Sequence, residues 1–261
     1  MRLKSFLLTE SFFKNILEED FFKHAKQNCK KSIVADPIYR GDASIKFKYN
    51  YYDKGARKSR RSNYAHNNYY MELFTKLLPK WKEYPDRSKS LICSTSFEDA
   101  KGWGAPQLIL PFDGSKIGIC PTADIWWSFN SSDEFFNTGI SDLNSLAIIL
   151  ENLFGKHLNA SSLESKLKST KFDAITNTPA FAYKSLDSNV ARKLDRYILN
   201  NASKTLWEFV EKALDPNKAG FKCTTSYNSL PYGVEVFTDG TCLGVYVEDE
   251  EEAYNIKGMI S

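Results

Sequence analysis

The chain has 261 residues, of which 42% are apolar, 26% charged and 14% aromatic. This composition is typical of a folded globular protein and excludes long disordered segments. The net charge of +3 is too small to indicate nucleic-acid binding by itself, and five cysteines without a CxxC spacing argue against a disulfide framework or a zinc site. No apolar run approaches the length of a membrane span and no signal peptide is evident, so we expect a cytoplasmic protein with no membrane and no metal partner.

The first half of the chain alternates between helical and extended hydrophobic patterns. Phenylalanines at three-to-four spacing predict a helix near the N-terminus, and alternating apolar residues predict strands. In chain order, the patterns predict a helix over 4–30, strands at 38–40 and 45–52, a helix over 63–81 and a strand at 90–93.

The second half predicts strands on either side of a helical block. Asp113-Gly114 and Asp239-Gly240 are typical of hairpin turns between paired strands. The predicted strands are 108–110, 117–120, 125–129, 234–237, 242–247 and 254–256, and the predicted helices are 143–153, 190–198 and 203–214. We therefore expect one α+β domain over 1–261, with N-terminal helices and a helical insertion or subdomain at about 135–220.

Three short segments carry residues suited to chemistry. The first is Tyr39-Arg40-Gly41 at the end of a predicted strand, and the second is Ser94-Thr95-Ser96, directly after another. The third is Gly233-Val234-Glu235-Val236-Phe237, inside a late apolar strand that carries the acid Glu235. In this order the segments resemble the arginine–serine–glutamate signature of the mono-ADP-ribosyltransferases.

That resemblance implies a split mixed or antiparallel β core and NAD as the substrate. Arg40 would contact phosphate or ribose oxygens, and the Gly41 backbone would contact the nicotinamide amide. Ser94 would orient Glu235, with Thr95 and Ser96 completing the motif. Glu235 would accept hydrogen bonds from the ribose and stabilise positive charge as the glycosidic bond breaks. Phe97 or Trp103 would stack on the nicotinamide ring, and Arg87 is a further candidate for facing a phosphate.

Plainer interpretations stay open for the same residues. Arg40 is also consistent with a surface ion pair with Asp42, and Glu235 with an outward-facing strand residue. Ser96 followed by Glu98 and Asp99 is typical of a helix N-cap. Gly233 stands where arginine-modifying members have Glu or Gln, so the acceptor is left open between protein, nucleic acid and small molecule.

A different function is suggested by the basic stretch from Lys46 to Arg61. Its lysines and arginines, concentrated at 54–61, precede an aromatic-rich segment and are suited to binding phosphates and stacking bases. The alternative is thus a non-catalytic module that binds nucleic acid or protein. The Lys- and Asn-rich composition is typical of an AT-rich genome such as that of a phage, in which case the host cytoplasm would be the location.

Overall fold

A computed structural model of the chain describes residues 13–43, 47–56, 65–130, 133–138, 140, 142–155, 159–178 and 188–261. The described part is an α+β structure in which every strand pairing is antiparallel. The strands are β1 (Phe13–Asn15), β2 (Ile38–Asp42), β3 (Tyr49–Tyr52), β4 (Leu91–Ser94), β5 (Ala105–Pro111), β6 (Ile117–Ile119), β7 (Lys222–Thr224), β8 (Glu235–Thr238) and β9 (Cys242–Tyr246). They form one sheet in the order β1-β3-β9-β5-β2-β4-β8-β6-β7.

Helices occupy much of the rest of the described chain. The α-helices are α1 (Glu18–Asn28), α2 (Lys30–Val34), α3 (Ala65–Glu72), α4 (Phe97–Trp103), α5 (Asp133–Thr138), α6 (Leu143–Phe154), α7 (Ala160–Ser169), α8 (Ser188–Asn201), α9 (Leu206–Ala213) and α10 (Glu250–Ile260). A π-helical turn at Leu73–Leu77 and 3-10 helices at Pro79–Glu83 and Phe172–Asn177 complete the set.

The backbone divides into two compact units. Unit 1 comprises Met1–Arg60, Glu83–Ala123 and Lys222–Ser261, and contains the sheet. Unit 2 comprises Arg61–Lys82 and Asp124–Phe221, and contains the helical block expected at about 135–220.

Aromatic rings fill the core of unit 2. The rings of Phe74 and Trp81 lie 4.4 Å apart between centroids, and Phe129 packs against Phe221 at 5.2 Å. The indole Nε1 of Trp81 donates to the Leu214 carbonyl at 2.8 Å, which satisfies the one polar group of that buried side chain. The high aromatic content of the sequence is therefore used largely in packing.

The sheet of unit 1 is strongly bent. Three residues join β8 to β9, although β4, β2 and β5 stand between these strands in the sheet. A link of this length reaches about 14 Å at most, whereas four steps across a flat sheet span about 19 Å. The ladder between β2 and β4 is the single pair Tyr39–Ser94, and we infer that the bend lies at this junction.

Two apolar clusters lie on opposite faces of the bent sheet. The first joins one face of β2, β5 and β9 to helices α1, α2, α4 and α10. The second fills the other face, where Ile38 and Ile109 from one half of the sheet meet Cys93, Val236 and Ile119 from the other half. This second cluster explains how the bend is stabilised, since it buries apolar side chains from both halves together.

Several predicted elements differ from the structure. The predicted helix over 4–30 is wrong at Phe13–Asn15, which pairs with β3, and its residues 4–12 lie outside the described chain. The predicted strand at 125–129 is a series of turns, in which Asp124 Oδ1 accepts from the Trp126 amide at 2.8 Å. Such aspartate side chains compete with strand formation by bonding the local backbone.

Neither predicted hairpin forms. Strands β5 and β6 flank Asp113-Gly114, but β5 pairs with β2 and β9, and β6 with β7 and β8. Strands β8 and β9 flank Asp239-Gly240 and also find other partners. The predicted strand at 254–256 is part of α10, whose N-cap Asp249 and first-turn glutamates account for the acidic run there.

Candidate functional site

The three segments singled out in the sequence lie on three consecutive strands. Arg40 is on β2, Ser94 ends β4 and Glu235 begins β8, and these strands are neighbours in the sheet. Tyr39 is paired with Ser94, and Ser94 is paired in turn with Glu235. Residues that are 141 positions apart in sequence are thus direct cross-strand neighbours.

The register decides which side chains share a face. Directly opposed residues of antiparallel strands point to the same face, and successive residues alternate. Ser94 and Glu235 therefore share a face with Tyr39, whereas Arg40 belongs to the other face together with its partner Gln107. The structure brings Ser94 and Glu235 together and turns Arg40 away from them.

Arg40 bridges the junction where the sheet bends. Its Nη1 donates to the carbonyl of Ile92 on β4 at 3.1 Å, beside the single pair that joins β2 to β4. Burial raises the pKa of Tyr52 to about 12, and the positive charge of Arg40 opposes that rise. Tyr52 in turn donates to Gln107 at 3.0 Å, so Arg40 sits among buried polar groups of the opposite face. Arg40 is only partly exposed and Asp42 is buried, so the two are not the surface residues that one interpretation of the sequence suggested.

Glu235 is a buried carboxylate held by a different arginine. Its side chain has no exposed surface, and its Oε1 lies 2.5 Å from Nη1 of Arg87, which is itself buried. Cys120 Sγ donates to the same Oε1 at 3.5 Å. Glu235 is therefore not an outward-facing strand residue, because the structure encloses its charge and pairs it.

Ser94, Thr95 and Ser96 each make separate local bonds. Ser94 Oγ accepts from the Ser96 amide at 3.0 Å and donates to Asp99 Oδ2 at 3.3 Å. Thr95 Oγ1 accepts from the Val234 amide at 3.0 Å, which ties the motif to the residue before Glu235. The motif thus fixes the start of β8 through the backbone.

Ser96 also begins helix α4. Its hydroxyl accepts from the Asp99 amide at 3.2 Å, and Glu98 and Asp99 occupy the first turn of the helix. The N-cap predicted from the sequence is confirmed. Capping leaves the neighbouring Ser94 at the strand end beside Glu235.

Of the residues predicted to contact nicotinamide, Phe97 and Trp103 are the first and last of helix α4, and Gly41 packs against that helix. Phe97 is buried, and its ring packs edge-on against the Tyr39 ring with 5.4 Å between centroids. The Phe97 ring is therefore part of the apolar core. Gly41 packs so closely on the end of α4 that a Cβ would lie 1.9 Å from the Ala100 carbonyl and 2.8 Å from Cβ of Trp103. Trp103 is partly exposed. The space that the missing Cβ of Gly41 leaves is therefore filled by helix α4 rather than left open to a ligand.

The loop before Glu235 adopts a conformation that glycine favours. Gly233 has φ +72°, in the left-handed region, and a Cβ there would meet no atom within 4 Å. A side chain at this position is disfavoured by backbone strain rather than by lack of room. The backbone at position 233 thus favours glycine over the Glu or Gln that the resemblance would place there.

Sequence reasoning gave little weight to the shell around Glu235. Arg87 was noted only as a residue that could face a phosphate, and Phe237, Cys120 and Gly118 were placed in predicted strands without a role beside Glu235. Phe237 could have been found from strand alternation, since it stands two residues after Glu235 and so shares its face. Cys120 and Gly118 lie on another strand segment, and sequence spacing alone carries no signal for their proximity.

The alternative function rests on residues that are mostly beyond the described ranges. Lys46, Arg57, Lys58, Arg60 and Arg61 lie outside them. The basic loop therefore stays a prediction. None of the described helices is long and apolar enough to cross a membrane. In the same part of the chain, no group of three or more His, Cys, Asp or Glu side chains is placed to hold a metal ion.

Comparison of the chain with protein-family models, with curated proteins and with solved structures gives no match. The function of this chain is therefore inferred from its own residues and geometry.

Proposed function

We propose that the protein is an ADP-ribosyltransferase that transfers ADP-ribose from NAD to an acceptor and releases nicotinamide. One observation carries the proposal: the strands bearing Arg40, Ser94 and Glu235 are consecutive, and Ser94 and Glu235 are directly paired. A chance triplet of short motifs, spread over about 200 residues, has no reason to converge in this way.

The chemistry assigned to Glu235 follows from its charge and burial. When the bond between ribose and nicotinamide breaks, its electron pair leaves with the nicotinamide and positive charge develops on the sugar. A carboxylate in a site that excludes water stabilises that charge more strongly than one in solvent. The acceptor then bonds to the sugar carbon and loses a proton. Water as acceptor would give NAD glycohydrolysis on the same scaffold.

Arg40 has a structural part in this proposal. A guanidinium that donates to the β4 backbone at the bend holds the Ser94-bearing strand beside β2. The split antiparallel core that the family resemblance implies is part of the same proposal, and the single-pair ladder between β2 and β4 supports it. Because Glu235 has no exposed surface, the ribose reaches it only when a neighbouring side chain or loop moves.

The test compares Glu235→Gln with the parent protein. Both are incubated with NAD labelled in the adenylate part, with and without cell extract, and both transfer of label and release of nicotinamide are measured. We expect the variant to lose activity by a factor of about 100 or more, because the amide keeps the shape and removes the charge.

Glu134→Gln is the matched control. Glu134 is also a buried glutamate in an ion pair, with Lys212 Nζ at 2.6 Å, but it lies in unit 2. We expect this variant to keep the parent rate. Equal activity of Glu235→Gln and the parent would remove Glu235 from the chemistry, and a parent that neither transfers label nor releases nicotinamide would refute the proposed function.

A further inference from the structure

We propose that Arg87 is the positioning residue for Glu235, and that its guanidinium fixes the direction of the carboxylate toward the reacting sugar. This inference rests on the proposed function. It assigns to Arg87 a role that the resemblance had assigned to Ser94, whose hydroxyl is bonded to Ser96 and Asp99.

The contact itself is the first argument. Nη1 of Arg87 lies 2.5 Å from Oε1 of Glu235, and the two side chains are 10% and 0% exposed. Two charges that have been removed from water are stable only when each offsets the hydration that the other has lost. Separating the pair removes the opposite charge of Arg87 from buried Glu235, which favours the arrangement in which the two groups meet.

The guanidinium of Arg87 packs on an aromatic ring of β8. Its guanidinium carbon lies 4.8 Å from the centroid of the Phe237 ring, which is on the same face of β8 as Glu235. The Phe237 ring lies directly over Gly118 of β6, where a Cβ would be 2.3 Å from the ring. Glycine at 118 therefore makes room for the ring, and the ring supports the guanidinium.

The backbone that carries Arg87 is a fixed turn. Asp86 Oδ1 accepts from the Ser88 hydroxyl at 2.7 Å, and the Ser90 hydroxyl donates to the Asp86 carbonyl at 2.9 Å. The Asp86 amide donates to Asp239 of the link between β8 and β9 at 3.1 Å. Both ends of the ion pair are therefore anchored to β8 or to the residues next to it.

A positioning role and a phosphate-binding role predict different kinetics. A residue that binds the pyrophosphate contributes equally to ground state and transition state, so its loss raises KM. A residue that aims the carboxylate acts where charge develops, so its loss lowers kcat. The kinetic constants for NAD thus separate the two roles.

The experiment measures nicotinamide release by Arg87→Met and Arg87→Lys over a range of NAD concentrations. For Arg87→Met we expect kcat to fall about 100-fold with KM changed less than about threefold. For Arg87→Lys we expect an intermediate kcat, because an ammonium restores the charge without the planar fork. Added guanidinium ion should restore part of the kcat of Arg87→Met.

Arg196→Met, which replaces an exposed arginine of α8, is the control and should match the parent. A raised KM with unchanged kcat in either Arg87 variant would overturn the positioning role in favour of phosphate binding. Unchanged kcat and KM would overturn it outright. In both cases the parent still releases nicotinamide, so the proposed function survives; a parent without activity ends both proposals.

Folding of the variants has its own control. Arg87→Met leaves the Glu235 charge buried without this partner, so we expect it to melt about 6–12 °C below the double variant Arg87→Met/Glu235→Gln. If Arg87→Met does not fold, the kinetic test rests on Arg87→Lys. Equal melting temperatures of the single and double variants would overturn the ion pair itself, and with it the positioning role.

Discussion

Individual residues show how chemistry and packing compete at the same positions. Glu235 was chosen from the sequence because it is an acid in an apolar strand, and the structure gives it a buried ion pair with Arg87. Phe97 and Gly41 were chosen as ligand contacts, and the structure uses both in packing against neighbouring elements. A residue type suited to a ligand is equally suited to the core when the geometry requires an aromatic ring or a missing Cβ.

Gly41 gives a prediction at the residue scale. Gly41→Ala would place a Cβ 1.9 Å from the backbone carbonyl of Ala100, which cannot move away as a flexible side chain could. We expect a loss of about 2–3 kcal/mol in the free energy of unfolding, measured by urea denaturation.

Gly102→Ala is the matched control for this change. Gly102 lies within α4, and a Cβ there meets no atom within 4 Å. Since alanine is the better helix former, we expect this variant to gain about 0.5–1 kcal/mol or to match the parent. A Gly41→Ala protein as stable as Gly102→Ala would contradict the close packing of β2 on α4.

Elements were predictable where their pattern is local and long. The helices at 143–153, 190–198 and 203–214 are confirmed within a few residues as α6, α8 and α9, because their apolar spacing lies within each segment. Gly155, directly after α6, also marks where that helix ends. The hairpins were wrong because Asp-Gly specifies a turn and not the partner of the strand that follows it.

Helix α4 gives a prediction at the scale of an element. Ser96→Ala removes the hydroxyl that accepts from the Asp99 amide at 3.2 Å and leaves that donor of the first turn without its cap. We expect the free energy of unfolding to fall by about 1 kcal/mol, measured by chemical denaturation.

Ser169→Ala serves as the comparison, since Ser169 is exposed in the last turn of α7 and caps no N-terminus. A change within about 0.5 kcal/mol is expected there. If Ser96→Ala cost no more than Ser169→Ala, the cap would have no measurable part in stabilising α4.

At the scale of the whole molecule, the tertiary structure determines which residues lie together in the candidate site. About half of the site could be named from the sequence, since Arg40, Ser94 and Glu235 stand in recognisable segments. Their juxtaposition could not be derived, because β2, β4 and β8 are separated by long stretches of chain and become neighbours only through strand order. The face on which each side chain lies could not be derived either, because it depends on strand register. A shift of one residue would place Arg40, instead of Tyr39, beside Ser94.

Lys257 gives a prediction at the scale of the whole molecule. It lies on α10 and donates to the carbonyl of Ala35, which is 222 residues away in sequence. Burial lowers the pKa of Lys257 from its ordinary 10.5 to about 8, and the Asp36 carboxylate opposes that shift. The folded state therefore binds this proton less tightly than the unfolded state, and burial of the charged amine costs stability below about pH 8.

The sign of the pH effect follows from this difference. Between about pH 8 and pH 10.5 the unfolded chain holds more protons, so stability of the parent rises with pH. From pH 7 to pH 10, the unfolding free energy of the parent should rise by about 2–3 kcal/mol relative to that of Lys257→Met. Lys101→Met, which replaces an exposed lysine, should show no such change in urea denaturation. A difference that is independent of pH would contradict the buried amine.

The sequence by itself determined the α+β class, the main helices of the second half and the residues whose side chains could take part in a reaction. These depend on composition and on patterns within ten to twenty residues, where the period of the backbone relates each side chain to its neighbours. Tertiary structure alone decided the strand order, the bend at β2 and β4, the faces of the sheet and the pairing of Glu235 with Arg87. The physical reason is that these features arise from burial and charge pairing between distant segments, which leave no period in the sequence.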